Sequence, residues 1–409
     1  MDAARRAVQD DGRMFAAPTV WTVMVALIGV HLAGMGAFLT LPVLAPLIAR
    51  ELALPPSLVG LHTGLVYAGA LVSGPFTGLL LRRHGGVRVC QGALVLIGCG
   101  IALAALGHPL ALAASALLAG LGHGPVTPSG SHLLAGRAPA RQRSLIFSLK
   151  QCGVPAGSML TAALAPAVGV AFGWRAGALT MAALALLAAL ALQPLRAALD
   201  ADRDPAAAGG PRAAWRDAVG SLGLLRQDRR LRALTCAAAG FGVSQFCFAA
   251  FFVAWQVEAL GTPLTEAGLR MALAQGAGVA GRVFWGLLAD RIGPVPVLVM
   301  IGAGAVLGCV ALALAGPEWP GVAVTLAGMV LGATGIGWNG VLLGEVARIA
   351  PAGRVGGATA ALGVVFGLVQ VVMPVAFTGL VAGTGSYLGG FLLCAACSLA
   401  GALWVRGGR

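Results

Sequence analysis

The sequence predicts an all-α membrane protein with twelve transmembrane helices, six on each side of one long polar connection. Three observations carry this. Hydrophobic residues make up 58% of the 409 and charged residues only 10%, where a soluble domain would carry about a quarter charged. Mean hydropathy is +0.90, which implies more apolar surface than a water-soluble fold can bury. The apolar residues also gather in runs of about twenty or more, each long enough to cross a bilayer as a helix.

The runs fall at 19–44, 56–81, 88–106, 109–135, 143–168 and 173–195, then at 232–258, 264–289, 294–316, 319–346, 353–382 and 384–405. Short Gly/Pro turns such as "GHP" at 107–109 and "GPEWPG" at 316–321 join several of them. The 62 glycines suit close helix–helix approach in lipid, where small residues let backbones meet. Residues 1–18 are polar for too long to be a cleaved signal peptide and read as a cytoplasmic tail. The halves are then 19–195 and 232–405, the linker is 196–231, and 406–409 form a second cytoplasmic tail.

The linker carries Arg196, Arg203, Arg212, Arg216, Arg226, Arg229 and Arg230 beside Asp200, Asp202, Asp204, Asp217 and Asp228. Its second part, "WRDAVGSLGLLRQDRRLR", spaces Trp215, Val219, Leu222 and Leu225 as an amphipathic helix lying on the membrane surface. Arginine placement sets the orientation. With both termini inside, the inner side collects Arg5, Arg6, Arg13, Arg82, Arg83, Arg88, Arg137, Arg141, Arg143, the linker arginines, Arg232, Arg291, Arg348, Arg354, Arg406 and Arg409. The outer side holds only Arg50, Arg175 and Arg270. The expected home is a bacterial-type inner membrane. A net charge of +13 does not indicate nucleic acid, because the arginines are dispersed between apolar runs and no RNA or DNA motif is present. Cys394 and Cys397 form a C-x-x-C inside "FLLCAACSLA", read as membrane packing because a redox pair needs an exposed thiolate. No metal cluster, nucleotide loop or catalytic triad is apparent, so no metal, cofactor or catalytic residue is expected.

Two loops match each other. "GLLLRRHGG" at 78–86 follows the second run and "GLLADRIGP" at 286–294 follows the eighth, sharing G-x-L-x-x-R-x-G. This frame resembles the signature loop of the major facilitator superfamily, G-x-L-a-D-R-x-G-r. Gly286, Leu288, Asp290, Arg291 and Gly293 match; in the first copy, with Gly78 and Arg83, Arg82 stands where an aspartate is usual. The resemblance covers the whole chain. It implies two six-helix bundles related by an axis along the membrane normal, a substrate at the midplane between them, and alternating access. It further implies that the two loops act as a gating latch. Gly286 is expected to let a neighbouring helix approach, with Glu345 and Arg348 as partners of the second copy.

A charge within the bilayer is expensive and usually functional. The chain's one lysine, Lys150, sits in "SLIFSLKQCGVPAGSML". It lies seven residues beyond Arg143, about 10 Å along a helix, so it either snorkels to the inner surface or holds an anion. Gly153 and Gly157 share its face, thinning the helix where a ligand or a neighbour could approach, and Gln151 adds an amide. In the eighth run Arg282 has Gln275 on its face, seven residues earlier. An arginine four residues before the motif glycine resembles the anion-binding arginine of the oxalate–formate antiporter and of monocarboxylate porters. A guanidinium fork can hold a carboxylate bidentately.

Trp338 and Asn339 fall in the middle of the tenth run, an aromatic and an amide suited to a small polar ligand. Gln245 and Gln370 are further binding candidates. His31, His62 and His123 lie within runs of the first half, where no buried acid is present, so a proton carrier there would be a histidine. In the second half Glu345 is the proton-coupling candidate. The expectation is a secondary transporter of a small organic anion, a carboxylate held between Lys150 and Arg282, monomeric in the bilayer, with a proton able to offset the anion's charge. The alternative is a proton-driven multidrug or metabolite exporter. Against drug efflux, the "GVPAG" of the fifth run lacks the Gly-Pro of the drug–proton antiporter motif, since Val154 precedes Pro155.

Overall fold

The computed structural model describes residues 18–135, 137, 143–201, 203–206, 210–350 and 355–407. The tail arginines Arg5, Arg6, Arg13 and Arg409, with Arg141, Arg354 and the linker's Asp202, lie outside them. Among the described residues the only regular structure is helical. The long elements are α1 (Val20–Leu52), α2 (Val59–His84), α3 (Gly86–Ala104), α4 (Pro109–Ala135), α5 (Arg143–Phe172) and α6 (Trp174–Ala191). After the linker come α7 (Arg229–Ala259), α8 (Leu264–Ile292), α9 (Pro294–Leu314), α10 (Gly321–Ile349), α11 (Val355–Thr384) and α12 (Leu388–Gly407). Eleven of these are long and apolar enough to cross a membrane. The exception is α8, whose length suffices but whose Glu266, Arg270, Gln275 and Arg282 lower its hydropathy. The protein is therefore an all-α, multi-spanning membrane protein.

Element ends differ from the sequence expectation where local chemistry intervenes. α1 runs on to Leu52 through Pro42 and Pro46. α7 starts at Arg229, because the Asp228 carboxylate caps it by accepting from the amides of Arg230 (2.8 Å) and Leu231 (3.0 Å). The linker's amphipathic stretch is not one helix. It is broken into Pro211–Gly220 and Gly223–Gln227, which pack against α11. The tenth run is also interrupted, with Ile336, Gly337 and Trp338 as a turn between Gly321–Gly335 and Asn339–Ile349.

Consecutive helices alternate in direction. One end of the molecule carries Arg82, Arg83, Arg88, Arg196, Arg291 and Arg348 and is called the arginine-rich end; Arg50, Arg175 and Arg270 lie at the opposite end. Gly85 and Gly293, equivalent in the two repeated loops, adopt the same left-handed turn (φ 86° and 90°), a conformation that a side chain strains. In the first copy a linker residue completes the turn. Asp200, 3% exposed, accepts from the amides of Val87 (2.8 Å) and Arg88 (3.0 Å) at the start of α3. Nothing in the sequence pattern had separated Asp200 from the other linker acids.

Within the first half, α1 packs on α5 and α6, and α4 on α2 and α3; within the second, α12 packs on α7 and α9, and α10 on α8 and α9. The larger crossings between halves are α5 with α8, α2 with α11 and α1 with α7, and α2 also meets α7. Toward the opposite end these crossings are tight. The Thr378 hydroxyl donates to the Ser57 carbonyl (2.7 Å), and Gly60 and Gly268 face neighbouring backbone with no room for a Cβ. At that end Glu51 binds Trp174 (2.8 Å) and pairs with Arg175, tying α1 to α6.

Candidate functional site

Lys150 does not snorkel. It is 1% exposed, and its ammonium donates to the Ser131 hydroxyl (2.9 Å) and the Thr127 carbonyl (3.4 Å), both on α4. A buried cation requires such partners. Ser131 and Thr127 were not singled out from sequence, although the hydroxyl series Thr127, Ser129, Ser131 in an apolar run was a readable signal. His31 on α1 completes this corner. Its Nδ1–H donates to the Leu27 carbonyl (2.8 Å), while Nε2 is buried and has no partner among the described residues. Gly130 leaves room between them: a Cβ there would lie 3.0 Å from His31 Cε1 and 3.5 Å from Lys150 Cδ.

The glycines on the Lys150 face serve α1, not a ligand. A Cβ on Gly153 would meet the Ile28 carbonyl at 3.0 Å, and one on Gly157 the Leu32 carbonyl at 2.2 Å. This close crossing is what holds His31 beside Lys150.

Arg282 reaches across from the second half. Its Nη1 donates to the Gln151 carbonyl on α5 (3.1 Å) and its Nε to the Ile336 carbonyl (3.3 Å). The second bond exists because α10 breaks there and frees a carbonyl, as in the discontinuous helices of transporters. Asn339 Nδ2 also donates to Ile336 O (3.4 Å). Among the described residues Arg282 has no carboxylate partner. Arg282 and Lys150 thus come from facing helices, one bonded to the residue that follows the other, and Gln151 Oε1 is buried without a partner among the described residues.

Three further candidates meet. Gln245 Oε1 accepts from Trp338 Nε1 (3.1 Å) and Asn339 Nδ2 (3.3 Å). An aromatic layer bridges the halves beside them. Phe38 stacks on His123 (5.4 Å between centroids) and Tyr67 contacts Phe246 (4.8 Å), which touches Phe366 (5.2 Å), which touches Trp338 (5.4 Å). Phe38 is seven residues beyond His31, about 10 Å toward the opposite end, so the layer begins on that side of the cationic pair. Tyr67 and the phenylalanines were also not singled out from sequence.

The other candidates fall elsewhere. Gln275 is buried on α8 two turns from Arg282, and Gln370 is half-buried on α11. His62 lines an apolar cavity of about 190 Å³ toward the opposite end, formed by α1, α2 and α4. Glu345 is buried near the arginine-rich end, where both its oxygens accept from Arg348 at 2.6 Å. Its partner is therefore on its own helix rather than in the repeated loop, where Asp290 and Arg291 are exposed. The motif glycines do not carry a helix contact either: a Cβ on Gly78 or Gly286 would meet nothing within 4 Å. The close approach of α8 to α10 lies deeper. A Cβ on Gly281 would be 2.4 Å from the Ala333 carbonyl, and one on Gly332 2.0 Å from the Ala274 carbonyl.

A helical membrane protein with polar groups from both halves meeting under an aromatic layer is built as a transport protein. The family model described as Major Facilitator Superfamily matches residues 26–372, and the chain belongs to that superfamily. It is accordingly a secondary transporter and not an enzyme. Among solved structures, the nucleoside transporter NupG, in a mutant form, superposes with a TM-score of 0.76 at 14% identity over 94% of this chain and 99% of that one. A bacterial homologue of the human lysosomal transporter Spinster, inward-facing and occupied, gives 0.71 at 15% identity over 96% and 95%. At such identities the likeness concerns the fold alone. No curated protein matches the chain in sequence.

Proposed function

We propose that the chain forms two six-helix bundles, 19–195 and 232–405, joined by the 196–231 linker, with twelve spans and both termini cytoplasmic in a bacterial-type inner membrane. α8 is the twelfth span, its polar groups turned to the bundle interface. The arginine-rich end is then cytoplasmic, in line with the positive-inside rule. The bundles rock about the midplane to alternate access.

The substrate is a small organic anion bearing a carboxylate, bound between Lys150 and Arg282. The observation that carries this reading is the state of Arg282: a guanidinium at the interface of the halves, bonded among the described residues to the backbone carbonyls of Gln151 and Ile336 and to no carboxylate. A carboxylate would replace two neutral acceptors with a charge-assisted bidentate pair. Because those carbonyls belong to opposite halves, ligand binding would also release a bond that holds the halves together. Gln151 and the Gln245–Trp338–Asn339 group supply neutral polar contacts, with Gln275 and Gln370 farther along the path. His31, with an open Nε2 beside Lys150, is the proton-coupling candidate.

The exporter reading is weakened by Glu345, the acid it would use, which is tied to Arg348 away from Lys150 and Arg282. A second reading, a nucleoside-like solute, is supported by the amide–indole group of Gln245, Trp338 and Asn339. Counterflow in proteoliposomes separates them, using labelled monocarboxylates, dicarboxylates, nucleosides and cationic drugs. Carboxylate flux that drops at least tenfold in Arg282→Ala and partly returns in Arg282→Lys is the expected result. Nucleoside or drug flux without carboxylate flux would refute the anion assignment.

A further inference from the structure

We infer that Gln245 is a specificity-determining residue: its amide nitrogen donates to a second oxygen of the transported anion, a carbonyl or hydroxyl carried beside the carboxylate. The inference rests on the carboxylate reading of Arg282 and adds what else the substrate must bear.

The direction of the Gln245 amide is fixed from both ends. An indole N–H can only donate, so the Gln245 atom 3.1 Å from Trp338 Nε1 is the oxygen and not the nitrogen. The same oxygen lies 3.3 Å from the Asn339 amide, which therefore presents its nitrogen. A backbone carbonyl can only accept, and Ile336 O lies 3.4 Å from that nitrogen, in agreement. Two amides whose neighbours are a pure donor and a pure acceptor cannot be reversed without losing these bonds.

Trp338 is itself held. It is 1% exposed and packs against Phe241 (6.0 Å between centroids) and Phe366 (5.4 Å). It stands there because α10 breaks at Gly337, where a Cβ would lie 2.2 Å from the Ala333 carbonyl. What remains of the group is unused hydrogen-bonding capacity. Gln245 Nε2 keeps two N–H donors and Asn339 Oδ1 keeps its lone pairs, with no partner among the described residues. Both side chains are half-buried, and neither of these atoms is enclosed.

The neighbours place this amide on the path between the halves. Phe246, the next residue on α7, touches Tyr67 of the first half. Arg282 and Asn339 donate to the same Ile336 carbonyl, so guanidinium and amide sit within about 7 Å of each other. A carboxylate on Arg282 is then one small molecule's length from an amide held donor-outward. An oxygen on the substrate pairs with that donor; an unsubstituted hydrocarbon would strip its water and leave it unpaired. Asn339 Oδ1 adds an acceptor for a hydroxyl proton.

The test is counterflow by the full chain in proteoliposomes, with butyrate and glutarate each beside its oxo and hydroxy derivatives. At least one derivative should exceed its parent acid by about tenfold or more in kcat/KM. In Gln245→Leu that preference should fall to within about twofold of unity, the derivative losing more than its parent acid. In Trp338→Phe, which frees one side of the amide, it should fall by about twofold or more, with the loss in KM rather than kcat. Equal rates for every derivative and its parent acid would overturn the assignment and leave the carboxylate reading standing. No flux of any carboxylate would overturn both. A preference that survives Gln245→Leu, or an equal loss for all the acids in that variant, would remove Gln245 from specificity. Should Gln245→Leu fail to fold, Trp338→Phe decides, and an undiminished preference there overturns the assignment.

Discussion

Adding one methyl group at two glycines of the second half should have opposite effects, and the structure fixes both signs. In Gly332→Ala the new Cβ would lie 2.0 Å from the Ala274 carbonyl oxygen and 2.8 Å from its carbon, both backbone atoms of α8. Ordinary contact begins near 3.4 Å, so α8 and α10 would have to part by about 1.4 Å. A gap of even 0.5–1 Å forfeits a quarter to a half of each dispersion contact across the seam, and overpacking of this kind costs about 1–3 kcal/mol or more. The same parting would stretch the 3.3 Å bond from Arg282 to the Ile336 carbonyl beyond hydrogen-bonding distance. In Gly286→Ala the Cβ meets nothing within 4 Å, and the helix gains about 0.5–1 kcal/mol of propensity. Unfolding of both variants in detergent by denaturant, beside counterflow in liposomes, gives the comparison. Gly332→Ala should lose stability and transport together, while Gly286→Ala should match or exceed the parent in stability. A fully stable Gly332→Ala, or a Gly286→Ala destabilised by more than about 1 kcal/mol, would refute the placement of the α8–α10 contact.

Because Lys150 is the chain's one lysine, amine-specific acylation resolved by peptide mapping from any label on the α-amine reads its environment directly. It should label far more slowly in the folded protein than after denaturation, faster in Ser131→Ala, and more slowly still with a transported anion present; labelling as fast as in the denatured chain would contradict its burial. Lys150→Arg should retain more anion flux than Lys150→Gln, and normal flux in the Gln variant would remove the lysine from the site. Asp200→Ala should lower stability by about 0.5–2 kcal/mol through loss of the α3 cap, a change visible in the denaturant midpoint. Trp338→Phe removes the donor to Gln245 and should leave stability within about 1.5 kcal/mol while raising the KM for transport.

The class of protein was legible from composition and period. A chain that is 58% hydrophobic and 10% charged can satisfy its backbone in lipid only as helices or a closed barrel, and runs of twenty or more residues choose helices. The repeated loops were legible too, because a positive-φ glycine followed by a helix start is a local requirement; Gly85 and Gly293 adopt the geometry their matching positions imply. The cationic candidates Lys150 and Arg282 stood out as charges within apolar runs.

Which groups meet was decided by tertiary structure alone. Sequence gave Lys150 two futures, water or ligand; the crossing of α1 and α5 at Gly153 and Gly157 set His31 beside it, and α4 supplied Ser131 from nineteen residues away. Gly286 looked like a packing residue in its motif, yet the approach between α8 and α10 falls at Gly281 and Gly332. Glu345 looked available, but a neighbour three residues on takes both its oxygens. The physical reason is common to all of these. Whether a side chain enters lipid depends on its own transfer energy, a property the residue carries by itself. Its hydrogen-bond partners depend on which helix faces it and at what depth, and those follow from small-residue contacts between segments far apart in the chain.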